Sequence, residues 1–175
     1  MFKLLQLNGE LSSKAFKILL AVIFVFGLLV RLFNLTNNPV AMSHDELDYV
    51  LNGKMIALTR SDLTQTWQPT SLTPIETETL TSELFPVLQA LVFKFLPLNL
   101  FNARILSVIF SSLTVLIIGL LVEKISKNKA LALLSSLVFS LSPWSILFAH
   151  TAYEAPNALM FYLLGIYWLI SLAET

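Results

Sequence analysis

Apolar residues in this chain are gathered into long runs that alternate with polar segments. The first run covers 15–35 and is uninterrupted over 18–30. Later runs of similar length cover 101–122, 130–149 and 154–173. Because a helix needs roughly 20 mostly apolar residues to cross a bilayer, this pattern predicts four transmembrane helices.

Two basic residues, Lys17 and Arg31, flank the core of the first run. Long basic side chains can lie along apolar surface and keep their charged ends in the headgroup region, so we expect both to anchor the helix at the two interfaces. A cleaved signal peptide is the alternative, because the apolar core is short and basic residues precede it. The position of Arg31 and the absence of a small-x-small cleavage site favour an uncleaved anchor.

The segment 36–83 is rich in Asn, Pro, Ser and Thr, and its seven acidic residues face only Lys54 and Arg60. Ser43 followed by Glu46 fits a capping box, in which the hydroxyl and the acidic side chain each accept from a backbone N–H at the helix start. Apolar residues then recur at helical spacing, namely Leu47, Val50, Leu51, Met55 and Leu58. We predict an extracytoplasmic loop that contains an amphipathic helix over about 44–58.

The apolar run over 84–98 differs from the others because it is short and is broken by Pro86, Lys94 and Pro97. A run of this length is too short to cross a bilayer comfortably. It is typical of an amphipathic helix that lies in the interface plane.

Composition adds to the picture of a membrane protein. Hydrophobic residues make up 56% of the 175 residues and charged residues 13%, which is more apolar surface than a small soluble domain buries. A formal net charge of +0 argues against a nucleic-acid partner, and the absence of Cys excludes disulfides and Cys-ligated metals. The predicted fold class is an all-α integral membrane protein with about four transmembrane helices and additional interfacial helices.

The lysines predict how these helices are oriented, because basic residues collect in short cytoplasmic loops. Four spans with an interfacial helix over 84–98 bring two groups of lysines to one side of the membrane: Lys3, Lys14 and Lys17 with Lys124, Lys127 and Lys129. Counting 84–98 as a span would separate the two groups. We therefore expect a multi-pass protein of the plasma or inner membrane with both chain ends in the cytoplasm.

This topology gathers ionisable residues from four segments at the outer surface: His44, Asp45, Glu46, Asp48, Glu83, Arg104, His150 and Glu154. Ionisable groups near the membrane are costly unless they are paired or face a wet cavity, so their convergence predicts a functional site. Structural roles stay open for some of them. Helix capping and the helix dipole account for Asp45 and Glu46 as well, and interfacial anchoring accounts for Arg104.

Four short motifs carry a resemblance to a known family. They are SHDELDY at 43–49, ELFP at 83–86, NARILS at 102–107, and LSPW at 141–144 followed by FAH at 148–150 and by Glu154. In this order and spacing, the chain resembles the amino-terminal part of the GT-C glycosyltransferases, which include protein O-mannosyltransferases and lipid A aminoarabinose transferases.

The resemblance implies transfer of a sugar from a polyprenyl phosphate donor to a glycan, lipid or protein acceptor on the extracytoplasmic face. Asp45 is expected to be the general base and Glu46 to orient it. Arg104 is expected to hold the lipid phosphate, and the same cavity is expected to include Glu83, His150 and Glu154. No cofactor is firmly implied, although a divalent metal fits some relatives.

Relatives in this family are longer, with further spans and often a soluble carboxyl-terminal domain, so acceptor recognition is expected in segments beyond this chain. The alternative function is that of a non-enzymatic membrane protein, such as a transporter fragment or an assembly subunit, in which the polar cluster lines a pathway or binds a partner. A split enzyme that needs another polypeptide is a third interpretation.

Overall fold

The computed structural model describes residues 11–65, 67–69 and 84–174, and within these ranges the regular structure is entirely α-helical. The elements are α1 (Ser13–Leu32), α2 (His44–Thr59), α3 (Leu84–Phe95), α4 (Leu100–Ser126), α5 (Lys129–Ser140), α6 (Pro143–Ala149) and α7 (Ala155–Ala173). The all-α class is therefore confirmed for the described part of the chain.

Three of these helices, α1, α4 and α7, are long and apolar enough to cross a membrane. The pair α5 and α6 makes a fourth candidate, but the two helices are bent by 57° relative to each other. The crossing predicted over 130–149 therefore corresponds to two helices with a bend between them rather than to one straight helix. Pro143 has no N–H group to continue α5, and the Ser142 side chain instead caps α6 by accepting from the Ser145 N–H. Three to four apolar helices fit a multi-pass membrane protein.

Helix α4 lies among α1, α5 and α7 and packs against all three. The packing is tightest at Gly119, where an added Cβ would lie 2.5 Å from both Leu20 Cδ1 and Ser136 Oγ. Small residues allow helix backbones to approach closely where apolar surface alone gives no preference for one packing. Helices α1, α5 and α7 therefore form a bundle around α4.

Helices α2 and α3 pack against each other through a face that the sequence pattern predicted only in part. Leu47 and Leu58, which the periodicity assigned to the apolar face, are 43% and 66% exposed. Val50 is buried as predicted, and so are Tyr49 and Gly53, which the pattern did not assign to this face. A Cβ at Gly53 would lie 2.5 Å from Gln89 Cβ on α3. The absence of a side chain at this position sets how closely the two helices approach.

The connection after α2 folds back onto the α2–α3 pair. Asp62 is fully buried, and its Oδ1 accepts from the Trp67 N–H at 3.0 Å. Asn52 Oδ1 accepts from the Leu63 N–H at 2.9 Å. These side chains satisfy backbone donors that would otherwise be buried without partners, and they fix Trp67 against Ile56. This part of the predicted polar loop therefore has a compact structure.

Basic residues and one acid meet at one end of the bundle. Lys129 Nζ donates to the Leu11 carbonyl at 3.0 Å, next to the start of α1. Glu174, which follows α7, pairs with Lys124 at 2.8 Å and with Lys127 at 3.0 Å. Hydrogen bonds from these two lysines hold the pKa of Glu174 below its usual value. The start of α1, the α4–α5 turn and the end of α7 thus lie together.

Candidate functional site

A buried ion pair joins α2 to α4 at the opposite end of the bundle. Arg104 Nε donates to Glu46 Oε1 at 2.9 Å, and the two side chains are 0% and 1% exposed. The same oxygen of Glu46 accepts from the Ala152 N–H at 2.9 Å. Glu46 therefore connects α2, α4 and the segment that precedes α7.

The rest of the Arg104 guanidinium is held by the connection between α1 and α2. Its Nη1 donates to the carbonyls of Leu35 at 3.0 Å and Pro39 at 2.8 Å, and its Nη2 donates to the Ala41 carbonyl at 3.3 Å. Several acceptors around one guanidinium offset the cost of burying its charge. All of these contacts lie within the chain, and the predicted contact of Arg104 with a lipid phosphate stays a prediction.

The start of α2 has half of the predicted capping box. Ser43 Oγ accepts from the Glu46 N–H at 3.2 Å, as expected for an N-cap. The Glu46 carboxylate turns toward Arg104 instead of the Ser43 N–H, so the reciprocal half of the interpretation is wrong. A hydrogen bond from a guanidinium to a carboxylate is stronger than one from a neutral amide, which explains this preference.

Asp45 differs from its neighbour in that its side chain is exposed. It lies in the first turn of α2, where the helix dipole favours a negative charge. In the part of the chain that the structure describes, no hydrogen bond or ion pair engages its carboxylate. The two adjacent acids are thus divided into one buried, paired group and one accessible group.

Tyr153 brings the segment before α7 to the start of α2. Its hydroxyl is hydrogen-bonded to Ser43 Oγ, and its ring lies edge-on to Tyr49 with centroids 6.4 Å apart. The Phe148 ring packs on the Tyr153 ring, with centroids 6.3 Å apart. Tyr153 was not among the predicted site residues, although its position between His150 and Glu154 was the available signal.

His150 is buried, and both of its ring nitrogens face backbone carbonyls. Nδ1 lies 2.9 Å from the Asn38 oxygen, and Nε2 lies 2.8 Å from the Arg31 oxygen. A carbonyl oxygen only accepts, so both contacts are hydrogen bonds at the same time only when both ring nitrogens carry hydrogen. The ring therefore joins the end of α6 to the α1–α2 connection, and the predicted contact with substrate stays a prediction.

The remaining predicted residues are less constrained. Glu154 is half-buried just before α7, and its side chain makes no capping hydrogen bond. Glu83 lies outside the described residues. Among the residues that are described, no group of three His, Asp or Glu side chains is placed to hold a metal ion. The expectation of a divalent metal therefore has no described ligand set.

Arg31 has a different role from the predicted interfacial anchor, because it is fully buried. It donates to Ser111 Oγ and Ser145 Oγ, both at 2.8 Å, and to the carbonyls of Gly27 at 3.0 Å and Ser140 at 3.2 Å. The Gly27 carbonyl is one helical turn before Arg31, whereas the other acceptors are at least 80 positions away in sequence. Acceptors supplied by α4 and by the α5–α6 bend allow the charge to be buried rather than extended to the interface.

A cavity of about 360 Å³ adjoins this arginine between α4, α6 and α7. Its lining is mostly apolar and includes Trp144, Phe148 and Leu159, together with Ser111 and Ser145. The two serines are the ones that accept from Arg31. The cavity therefore combines an apolar wall with hydroxyl groups that are held next to a buried cation.

Comparisons with protein families, curated proteins and solved structures give no significant match to this chain.

Proposed function

We propose that the chain is a membrane glycosyltransferase, or a part of one, that moves a sugar from a polyprenyl phosphate to an acceptor on the extracytoplasmic face. The proposal combines the resemblance of its motifs to the GT-C glycosyltransferases with the arrangement of the candidate site. The observation that carries it is the division of the acid pair. Asp45 is exposed and unpaired among the described residues, whereas Glu46 is buried against Arg104.

This division suits general-base catalysis. A carboxylate that removes a proton must reach the acceptor hydroxyl directly or through one water molecule, and Asp45 is accessible for that contact. Its oxygen takes the proton as the acceptor oxygen bonds to the anomeric carbon of the sugar. The bond from that carbon to the phosphate oxygen breaks, and the polyprenyl phosphate leaves with the electron pair.

The neighbouring residues serve to position this base. Glu46 and Arg104 fix the first turn of α2 to α4 through a buried pair, and Tyr153 contacts the Ser43 cap one turn away. A base held on a rigid helix start loses less entropy when it meets its substrate. The contacts of Arg104 favour a positioning role in addition to the predicted role in phosphate binding.

The apolar cavity supports a lipid-linked donor. Phe148 lines the cavity and packs against Tyr153, which contacts Ser43 beside Asp45. A set of contacts thus runs from an apolar space among helices that can cross a membrane to Ser43, two residues before Asp45. An isoprenoid chain is the kind of group that such a space accommodates.

The test is sugar transfer in membranes that contain the chain, incubated with a panel of labelled polyprenyl phosphate sugars. Asp45→Asn is expected to reduce transfer by on the order of 10² to 10⁴, the usual contribution of a general base. Glu123→Gln is the control, because it removes a carboxylate near the end of α4, at the opposite end of the bundle, and leaves position 45 unchanged. Equal transfer by the parent protein and Asp45→Asn would refute the catalytic assignment. No transfer from any donor by a stably folded parent would favour either a split enzyme that needs another polypeptide or the non-enzymatic alternative.

A further inference from the structure

A second concave surface lies at the other end of α2, away from Asp45. It is a groove of about 440 Å³ between α2 and α3. Apolar side chains of both helices line it, and two basic residues complete the lining: Ile56, Leu58, Val87, Leu91, Arg60 and Lys94. Asp45 and Arg60 are separated by about 22 Å along α2, at 1.5 Å per residue. The groove is therefore distinct from the candidate catalytic site.

The two basic residues are exposed and have no acidic partner in the described ranges of the chain. Arg60 follows the last turn of α2, and Lys94 lies in the last turn of α3. Their situation contrasts with that of Lys124 and Lys127, which share Glu174 at the other end of the bundle. Two accessible cations beside one groove attract an anion, and no described acidic side chain offsets their charge.

The surface around these cations is apolar. Leu91 is 58% exposed and Phe95 is 78% exposed, and Lys94 Nζ lies 5.6 Å from the centre of the Phe95 ring. Basic residues that border exposed apolar side chains are typical of surfaces that contact anionic membranes. A free anion gains nothing from the apolar walls, whereas a lipid uses both parts of the groove.

We propose that this groove binds an anionic phospholipid, with its phosphate between Arg60 and Lys94 and part of an acyl chain along Ile56, Val87 and Leu91. The proposal is independent of the glycosyltransferase proposal, because it concerns a different surface. It requires the groove to prefer an anionic lipid over a zwitterionic lipid and over inorganic phosphate.

The experiment measures how lipid raises the thermal unfolding midpoint of the purified chain in detergent. Phosphatidylglycerol is expected to raise it in a saturable way, and phosphatidylcholine and inorganic phosphate are not. The double variant Arg60→Gln with Lys94→Gln is expected to weaken phosphatidylglycerol binding by on the order of tenfold or more. Lys14→Gln with Lys17→Gln is the matched control, since it removes the same charge from exposed positions on α1.

A second variant tests the contribution of the apolar wall separately from that of the two cations. Leu91→Gln keeps both charges and is expected to weaken lipid binding, because the chain then meets a polar wall. Equal losses in the groove variant and the α1 control would show general charge attraction and overturn the proposal. Equal responses to the two lipids, or the same response to inorganic phosphate, would overturn it too.

Discussion

At the scale of single residues, two arginines determine how the ends of the helices meet. Among the described residues, Arg31 makes five hydrogen bonds and Arg104 makes four. Burying a charge is costly unless its polar groups find partners. Both arginines meet this condition through serine hydroxyls, backbone carbonyls or Glu46. Each one therefore joins segments that are distant in sequence.

Removing the partner of Arg104 should reveal how far the stability of the protein depends on this buried ion pair. Glu46→Gln leaves a buried guanidinium without its counter-charge, and a change of this kind typically costs about 3 to 5 kcal/mol. Asp45→Asn removes only an exposed charge near the helix start, which is worth about 0.3 to 1 kcal/mol. Thermal unfolding of the two variants in the same detergent measures the difference.

A double-variant cycle checks the cause of that loss. Glu46→Gln together with Arg104→Gln removes both charges, so its destabilisation should be smaller than the sum of the two single losses. Additive losses would mean that the pair is not coupled, and equal losses for Glu46→Gln and Asp45→Asn would contradict the division of the acid pair.

At the scale of helices, two contacts depend on close approach at a glycine rather than on packing of large apolar side chains. Gly53 lies against Gln89, and Gly119 lies against Leu20 and Ser136. Gly165 on α7, by contrast, has no atom from the other described parts of the chain within 4 Å of where its Cβ would be. The same substitution at Gly53 and Gly165 therefore tests whether the α2–α3 contact depends on the missing side chain.

Gly53→Ala should destabilise the protein although Ala favours helix. The added Cβ would meet Gln89 Cβ at 2.5 Å and the Pro86 carbonyl oxygen at 3.2 Å, and neither atom can move without a backbone shift. Overpacking of this kind costs about 1 to 3 kcal/mol, which exceeds the gain of up to about 1 kcal/mol in helix propensity. Gly165→Ala should be neutral or slightly stabilising. Equal unfolding temperatures for the two variants would show that the helices are not in contact at Gly53.

The same elements show which parts of the structure a single sequence can predict. Ser43 marks the start of α2 because capping is a local interaction. The buried face of α2 depends on α3, more than 30 positions later, so local periodicity selected Leu47 and Leu58 wrongly. Arg31 looked like an interfacial anchor because its acceptors Ser111 and Ser145 come from distant segments. In the candidate site, likewise, the sequence could not tell which of Asp45 and Glu46 pairs with Arg104.

At the scale of the whole molecule, the two ends of the bundle have different chemistry. One end has Lys124 and Lys127, which pair with Glu174, and the other has the buried pair of Glu46 and Arg104 and the exposed Asp45. Lysines near short loops favour the cytoplasmic side. We therefore expect the end with Lys127 to face the cytoplasm and the end with Asp45 to face outward, where a lipid-linked sugar and its acceptor would meet.

Single cysteines test this orientation, because the chain has none of its own. Leu63→Cys introduces a thiol at an exposed position in the connection after α2, and Lys14→Cys introduces one at the exposed start of α1. An impermeant thiol reagent added to intact cells should label the first and not the second. After the membrane is opened, both should react.

Lys127→Cys should behave like Lys14→Cys, because Lys129 and the start of α1 lie at the same end of the bundle. Labelling of Lys14→Cys and Lys127→Cys from opposite sides would contradict the bundle itself. Labelling of these two, but not of Leu63→Cys, from outside would reverse the orientation and remove the extracytoplasmic site.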